Sequence, residues 1–430
     1  MVLHVYKHAY IYYTFKYKKR NKTKGRGKRT ALYRFRRCKS IFLYTIIFYS
    51  GGVMNVTVKQ KKLYDVLQKV FPIVPSRTSL QVLTNLKLSV TQGLLTIYAS
   101  DLDNFVQASL TVSTTEDIEI AVDARKFTDI IREMGNDDIS LTIENNVLYL
   151  ENGSGFNCSI TGVGLREFPL FPETEFIDKN TISTKLFKSL FTKSSFAVSR
   201  DESRGCLCGL FWDIQEKRTG MVATDGHRLG ASFTDISFST NASIILSPKS
   251  IGNVLKIAEL EDAEDLEFVI QDKYVVFYMD HFRLSTKMIQ GPYPDYEKGI
   301  PHEFSKRAQV ERAILLEAIK RVSTVSNSKN QLIKMIFTEG NLNISAQNRE
   351  IGGFAEQNIP ITYTGDEDLN IGFNSRYLQD ILSVMESREI IVNMNNHLKA
   401  VTLLPHNSSD TEEGDTSEDI FLIMPLKIFE

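Results

Sequence analysis

The chain has 430 residues, 42% hydrophobic and 24% charged, a globular composition with room for two to four domains. No apolar run approaches the ~20 residues that a membrane-spanning helix needs, and four cysteines in so long a chain do not suggest a disulfide scaffold. The net charge of −1 hides an asymmetry: residues 1–53 hold 14 Lys and Arg and no acid, which leaves 37 basic against 52 acidic residues, a net charge of −15, in 54–430.

The first 53 residues are basic and aromatic, as in Tyr10-Ile-Tyr-Tyr13 and Lys16-Tyr-Lys-Lys-Arg20. Their apolar patch, Ile41 to Tyr49, is too short to span a bilayer and lacks the cleavage site of a secretory signal. The segment is expected to be a disordered extension or the product of an upstream start chosen in error, because a complete strand pattern begins at Met54-Asn-Val-Thr-Val58. A basic arm for nucleic acid is the other reading.

From Met54 onward one α/β pattern occurs three times. Asp123 to Met134 reads as an amphipathic helix with an N-cap Asp, followed by strands Ile139 to Glu144 and Val147 to Glu151 around an Asn145-Asn146 turn. Ser247 to Ile257 is the second copy, followed by Leu266 to Ile270 and Tyr274 to Met279. Asn374 to Leu382 is the third, followed by Ile390 to Met394 and Leu398 to Leu403. The cap positions, 123, 247 and 374, are 124 and 127 residues apart. Asp, Ser and Asn are the residues that satisfy free N–H groups at a helix start, and Pro248 suits the first helical position. An earlier helix repeats in register at Lys61 to Val70, Lys185 to Phe191 and Val310 to Val322. Phe168-Pro-Leu-Phe-Pro172 closes the first unit and Gly291-Pro-Tyr-Pro294 the second. The pattern predicts an α+β fold with helices on one face and antiparallel sheets on the other, in domains 54–176, 177–301 and 302–430. Three like domains in a row suggest a curved or ring-like assembly.

Basic residues gather on the predicted helices. Examples are Arg125 and Arg132 in the first unit, Lys185, Lys188 and Lys249 in the second, and Arg321 and Arg376 in the third. Acidic residues crowd strands and loops, as in Glu259 to Glu267 and Asp410 to Asp419. If the helices share a face, that face is positive although the molecule is negative. No base-reading element is evident, so contact with nucleic acid would be through phosphate and independent of sequence. The stretch His406 to Asp419 reads as a mobile acidic loop.

Enzyme signatures are missing from the sequence: it has no P-loop, dinucleotide fingerprint, H-E-x-x-H or G-x-S-x-G. Cys206 and Cys208 form a lone C-x-C without a second pair at zinc spacing, so no metal is expected. Asp225 and His227 in Ala223-Thr-Asp-Gly-His-Arg-Leu229 can be read as an acid/base pair or as a turn with a satisfied histidine. The turn is the commoner reading, so no catalytic residue is assigned.

That heptapeptide, with Phe196-Ala-Val-Ser199, Glu202-Ser-Arg204, Pro292-Tyr-Pro-Asp-Tyr296 and Ile423-Met-Pro425, resembles the bacterial sliding clamps, the beta subunits of DNA polymerase III. The resemblance covers 54–430 in order and spacing. It implies three clamp-type domains and a head-to-tail homodimeric ring that encircles duplex DNA and tethers the catalytic subunit of the polymerase. It implies a non-catalytic, cofactor-free protein of the cytoplasm and nucleoid, whose other partners are the clamp loader and further replication and repair proteins. It also implies a peptide pocket between the second and third domains, formed by Thr224, Gly226, His227, Arg228, Leu229, Pro294, Gly299, Ala400, Leu422 and Met424. On the DNA side Arg77 matches a loop arginine. The next family contacts fall on Asp201, Gly205 and Cys206, which depart from the pattern, so Arg200 and Arg204 are taken in their place. With the helix cations Arg125, Arg132, Lys185, Lys188, Lys249 and Arg321 these form the candidate DNA face. Phe127 is expected to meet Thr324 and Val325 of a second copy. A hydrolase at Asp225 and His227, and an adaptor that forms no ring, are the competing readings.

Overall fold

The computed structural model describes residues 56–428 apart from 115–116, 174–178, 328–329 and 407–417. The amino-terminal extension and nearly all of the acidic loop lie outside the described residues. Six helices carry the repeat: α1 (Gln60–Val70), α2 (Ala124–Glu133), α3 (Thr184–Ser195), α4 (Pro248–Leu260), α5 (Arg312–Ser323) and α6 (Ser375–Val384). They pack in pairs, α1 with α2, α3 with α4 and α5 with α6. The even-numbered helices start on the predicted caps. The Asp123 carboxylate accepts from Lys126 N at 2.8 Å, Ser247 Oγ from Ser250 N at 3.0 Å, and Asn374 Oδ1 from Arg376 N at 2.9 Å.

Each helix buries one apolar stripe and leaves its charges outside. In α2 the buried residues are Ala124, Phe127 and Ile131, while Arg125, Lys126 and Arg132 are exposed. The second unit's core centres on Trp212, fully buried against Phe187, Phe268 and Phe277. Its indole N–H donates to Thr219 Oγ1 at 2.9 Å, so the one polar atom of the ring is satisfied.

Among the described residues the strands form four antiparallel sheets, and two of them cross a unit boundary. In the first unit Asn104–Thr111 ends a four-strand run; it pairs with Phe282–Lys287 of the second unit and gives one eight-stranded sheet. In the second unit the matching strand, Arg228–Thr234, pairs with Glu418–Ile423 of the third and gives a nine-stranded sheet. The other two sheets have four strands each. One ends on Asn157–Thr161 in the first unit and the other on Gly353–Pro360 in the third.

Two sequence expectations shift. Val310 belongs to strand Lys306–Glu311, and α5 starts after it. The last hairpin's return strand begins at Val401 rather than at Leu398, because Asn396 Oδ1 accepts from Leu398 N and Lys399 N and prolongs the turn.

A buried ion pair fastens the second junction: Lys193 Nζ meets Asp419 Oδ2 at 2.8 Å with both side chains at most 10% exposed, and Ser232 Oγ donates to the same carboxylate at 2.6 Å. Breaking such a pair strands a desolvated charge, whereas replacing both members by apolar groups is nearly neutral. Asp419→Ala is expected to lower unfolding free energy by about 3–5 kcal/mol and Lys193→Met with Asp419→Leu to recover most of it, read by urea denaturation. A loss below about 1 kcal/mol for Asp419→Ala would contradict the assignment.

Candidate partner groove and candidate DNA-face cations

The second junction builds a site from two strand ends. The turn Thr224–Arg228 is held by Asp225, whose Oδ1 accepts from His227 N at 2.9 Å and Arg228 N at 3.1 Å and whose Oδ2 accepts from Arg228 Nε at 3.1 Å. Gly226 sits at φ +82°, a left-handed position that favours glycine. Thr224 Oγ1 accepts from Gly226 N at 3.1 Å and donates to Arg228 O at 2.7 Å. Met424 N donates to His227 O at 2.8 Å, which locks the third unit's last strand beneath the turn.

Above this frame lies an apolar cluster of Val222, Leu229, Ala231, Phe233, Ala400 and Leu422, with Phe211, Tyr296, Ile300 and Ile420 packed around it. Leu229 and Leu422 stand opposite each other across the junction. Met424 is 37% exposed beside them. Pro294 and Gly299 lie on the exposed connector, and a side chain added at Gly299 would meet no atom within 4 Å. Ile300, unmarked in the sequence reading, packs on the cluster itself. Desolvation keeps two neighbouring phenols neutral: burial pushes Tyr296 up to about 12 and Tyr293 further still, although Thr224 N donates to the Tyr293 oxygen at 3.1 Å.

Arg228 is not part of that apolar cluster. Its guanidinium is 5% exposed, paired with Asp225 and with Asp380 on α6, and lies 4.3 Å from the Tyr377 ring. It bolts the second unit to the third. With His227, Arg200, Arg204 and Arg376 it lines a neighbouring cavity of about 410 Å³. The Asp225 carboxylate is engaged by two backbone amides and this guanidinium, so it anchors the turn. Among the described residues no cluster of His, Cys, Asp or Glu could hold a metal.

All nine candidate DNA-face cations are exposed. Four are tied locally: Arg132 to Asp129 and Glu133, Lys249 to Asp101, Arg321 to Glu317, and Arg204 to the Asp225 carbonyl oxygen. Arg77, Arg125, Lys185, Lys188 and Arg200 enter no such pairing within 4 Å among the described residues. Phe127 is corrected: it is fully buried in the first unit's own core and offers no surface to a second chain. Thr324 is exposed and Val325 half-buried near Gly353. Among the described residues, exposed aromatic rings stand instead at the sheet edges formed by Asn157–Thr161 and Gly353–Pro360: Phe156 beside the first and Phe354 on the second.

Sequence profiles of the DNA polymerase III beta subunit match this chain three times: the N-terminal domain at 54–172, the central domain at 181–295 and the C-terminal domain at 297–415. The chain belongs to the DNA polymerase III beta subunit family, the sliding clamps. A beta sliding clamp of Chlamydia muridarum is 26% identical over 378 residues, covering 87% of this chain and 99% of that protein. One from Staphylococcus aureus is 24% identical over 387 residues, covering 88% and 100%. The clamp of Pseudomonas aeruginosa crystallised with griselimycin superposes with a TM-score of 0.78 at 26% identity, covering 88% of this chain and all of that one. The Bacillus subtilis clamp gives 0.79 at 25%, with the same coverage. The repeated units are thus three clamp domains. No helix among the described residues is long and apolar enough to cross a membrane.

The two half-buried phenols supply a pH signature for the groove wall. A phenol whose pKa is raised by folding adds stability below its unfolded value of about 10 and loses it as pH rises through the folded value. Alkaline ultraviolet titration is expected to show a late tyrosine fraction, ionising near pH 12 or on unfolding, that shrinks in Tyr296→Phe and in Tyr293→Phe. Complete ionisation near pH 10 in the folded protein would contradict the desolvated wall.

Proposed function

We propose that two copies of this chain join head to tail into a ring that encircles duplex DNA without reading its sequence, and that the groove at the second junction holds short segments of partner proteins. The observation that carries the ring is the arithmetic of strand edges. One edge type, Asn104–Thr111 in the first unit and Arg228–Thr234 in the second, is covered by the last strand of the following unit. Among the described residues the third unit's equivalent, Gly353–Pro360, ends its sheet uncovered, and so does the first unit's equivalent of the covering strand, Asn157–Thr161. These are the two halves of the same contact. Phe354 is 60% exposed on one edge and Phe156 46% beside the other, so pairing would bury apolar surface as well as satisfy open backbone groups. An unpaired edge is a liability in solution, and a second copy removes both edges at once.

Inside the ring, exposed Lys and Arg on the helices attract phosphate through solvated contacts, and an acidic body discourages binding outside it. Topology supplies retention, so tight binding is unnecessary. The groove suits an extended segment with apolar anchors, each gaining about 1.5–3 kcal/mol on burial before ordering costs. The polymerase catalytic subunit, the clamp loader and other replication or repair proteins are the partners this reading assigns, in the cytoplasm at the nucleoid. The chain acts by holding and has no catalytic residue or cofactor.

The registers project one residue pair across the subunit contact. Val106 faces Leu284 at the first junction and Gly230 faces Phe421 at the second. The equivalent of Val106 in the third unit is Ala355, paired with Ala346 as Val106 is with Ala99. The equivalent of Leu284 in the first unit is Cys158, paired with Leu150 as Leu284 is with Phe277. Opposed Cα atoms about 4.5–5.5 Å apart are within disulfide reach. Ala355→Cys is expected to form a dimer-sized band with the native Cys158 under mild oxidation at alkaline pH, since burial raises that thiol's pKa. The band should vanish with Cys158→Ser. Failure of cross-linking in a chain that sediments as a dimer would contradict the head-to-tail register.

A further inference from the structure

The first junction repeats the frame of the second almost atom for atom. Asp101 Oδ1 accepts from Asp103 N at 3.1 Å and Asn104 N at 2.7 Å, as Asp225 does from His227 and Arg228. Ser100 Oγ accepts from Leu102 N at 3.0 Å, as Thr224 Oγ1 does from Gly226 N, and Leu102 shares the left-handed conformation at φ +76°. Lys287 N donates to Asp103 O at 2.7 Å, as Met424 N does to His227 O. The cross-strand registers then set Phe105 at the place of Leu229, Ser285 at that of Leu422 and Lys287 at that of Met424. They also match Tyr274 to Ala400. Asn104 faces Thr286, and Thr286 faces Val275; Arg228 faces Ile423, and Ile423 faces Val401. Tyr274 and Ala400 each stand one residue ahead.

The space above the two frames is filled differently. At the second junction the connector ring Tyr296 packs on the apolar cluster, 6.0 Å from Phe211 and 6.4 Å from Phe233, and small Ala400 stands where the first junction has the Tyr274 ring. At the first junction the connector ring Phe171 packs edge-on to Phe105 at 5.4 Å and to Tyr98 at 4.8 Å, and Tyr274 also packs edge-on to Phe105 at 5.8 Å. Arg283 donates to the Pro172 carbonyl oxygen and pins the connector there. Leu170, next to this half-buried ring, is 93% exposed.

We infer that the first junction is a closed twin of the partner groove, occupied by the chain's own Phe171 with Tyr274, and that this self-occupation is why the chain presents one groove and not two. The connector segment Phe168-Pro-Leu-Phe-Pro172 is the resident ligand, a short extended peptide with an aromatic anchor. Removing its ring opens a second site for a free peptide of the same chemistry. The inference rests on the partner-groove reading for the chemistry of the ligand but on the first junction's own contacts for the site.

The probe is a fluorescein-labelled synthetic peptide of residues 166–173, titrated against the full chain by anisotropy with stoichiometry from a tight-binding plateau or from calorimetry. Wild-type protein is expected to bind one peptide per chain, and folded Phe171→Ala two. Tyr274→Ala, which removes the second ring packed on Phe105, is expected to give the same doubling and stands in if the first variant folds poorly. One peptide per chain in both folded variants would overturn the closed twin and leave the partner groove intact. No binding to wild type but one peptide per chain in the variants would overturn the partner-groove reading and support the twin. No binding to any of the three would overturn both.

Discussion

Everything in this molecule depends on one interaction, the antiparallel pairing of a strand from one domain with the terminal strand of the next. It is made at Asn104–Thr111 and again at Arg228–Thr234. Backbone hydrogen bonds fix register to the residue, and a slip by one would turn every side chain to the opposite face. The repeated register therefore reproduces the same turn, the same carbonyl acceptor and the same side-chain places at both junctions. What differs is chemistry laid on a constant frame. The second junction adds Lys193 with Asp419 and Arg228 with Asp380, while the first has Lys69 paired with Glu261 and lying over the Phe282 ring. By position in the helix Arg321 is the third copy of Lys69 and Lys193, and it stands exposed near the uncovered edge strand, 3.4 Å from Gln357.

The same frame explains how an acidic chain can hold a polyanion. Helix stripes bury their apolar residues on the sheets, so lysine and arginine are left on the outward helical surface whatever the net charge. Local carboxylates temper some of these cations, as Glu317 does Arg321. Exposed pairs of this kind are screened and weak, and they exchange readily with phosphate. Retention by topology tolerates that weakness, and sliding benefits from it.

Much of the fold was legible because it is written in local chemistry three times over. The caps Asp123, Ser247 and Asn374 announce their helices by side-chain hydrogen bonds spanning two or three residues. The site was legible only in part. Periodicity marked Phe127 as apolar but could not say whether it faced the chain's own core or a second copy, and it faces the core. Arg228 was visible as a motif residue, yet its partner Asp380 is 152 residues away and no local pattern links them. The open strand edges, with Phe156 and Phe354, were not legible either, since an edge is defined by which strand is missing beside it. One signal was available: Ala99-Ser-Asp-Leu-Asp-Asn104 repeats the polar skeleton of Ala223-Thr-Asp-Gly-His-Arg228 at the domain period of 124.

The central claim is that the chain holds DNA by enclosing it, and topological retention tests it most directly. The purified protein would be placed by a clamp loader on nicked circular DNA, separated from free protein by gel filtration, and followed after the circle is cut once by a restriction enzyme. The account predicts that the protein stays with the circle through the column at raised salt and is lost from the linear product within the time of a second passage. Equal retention on circular and linear DNA, or equal loss from both, would contradict it.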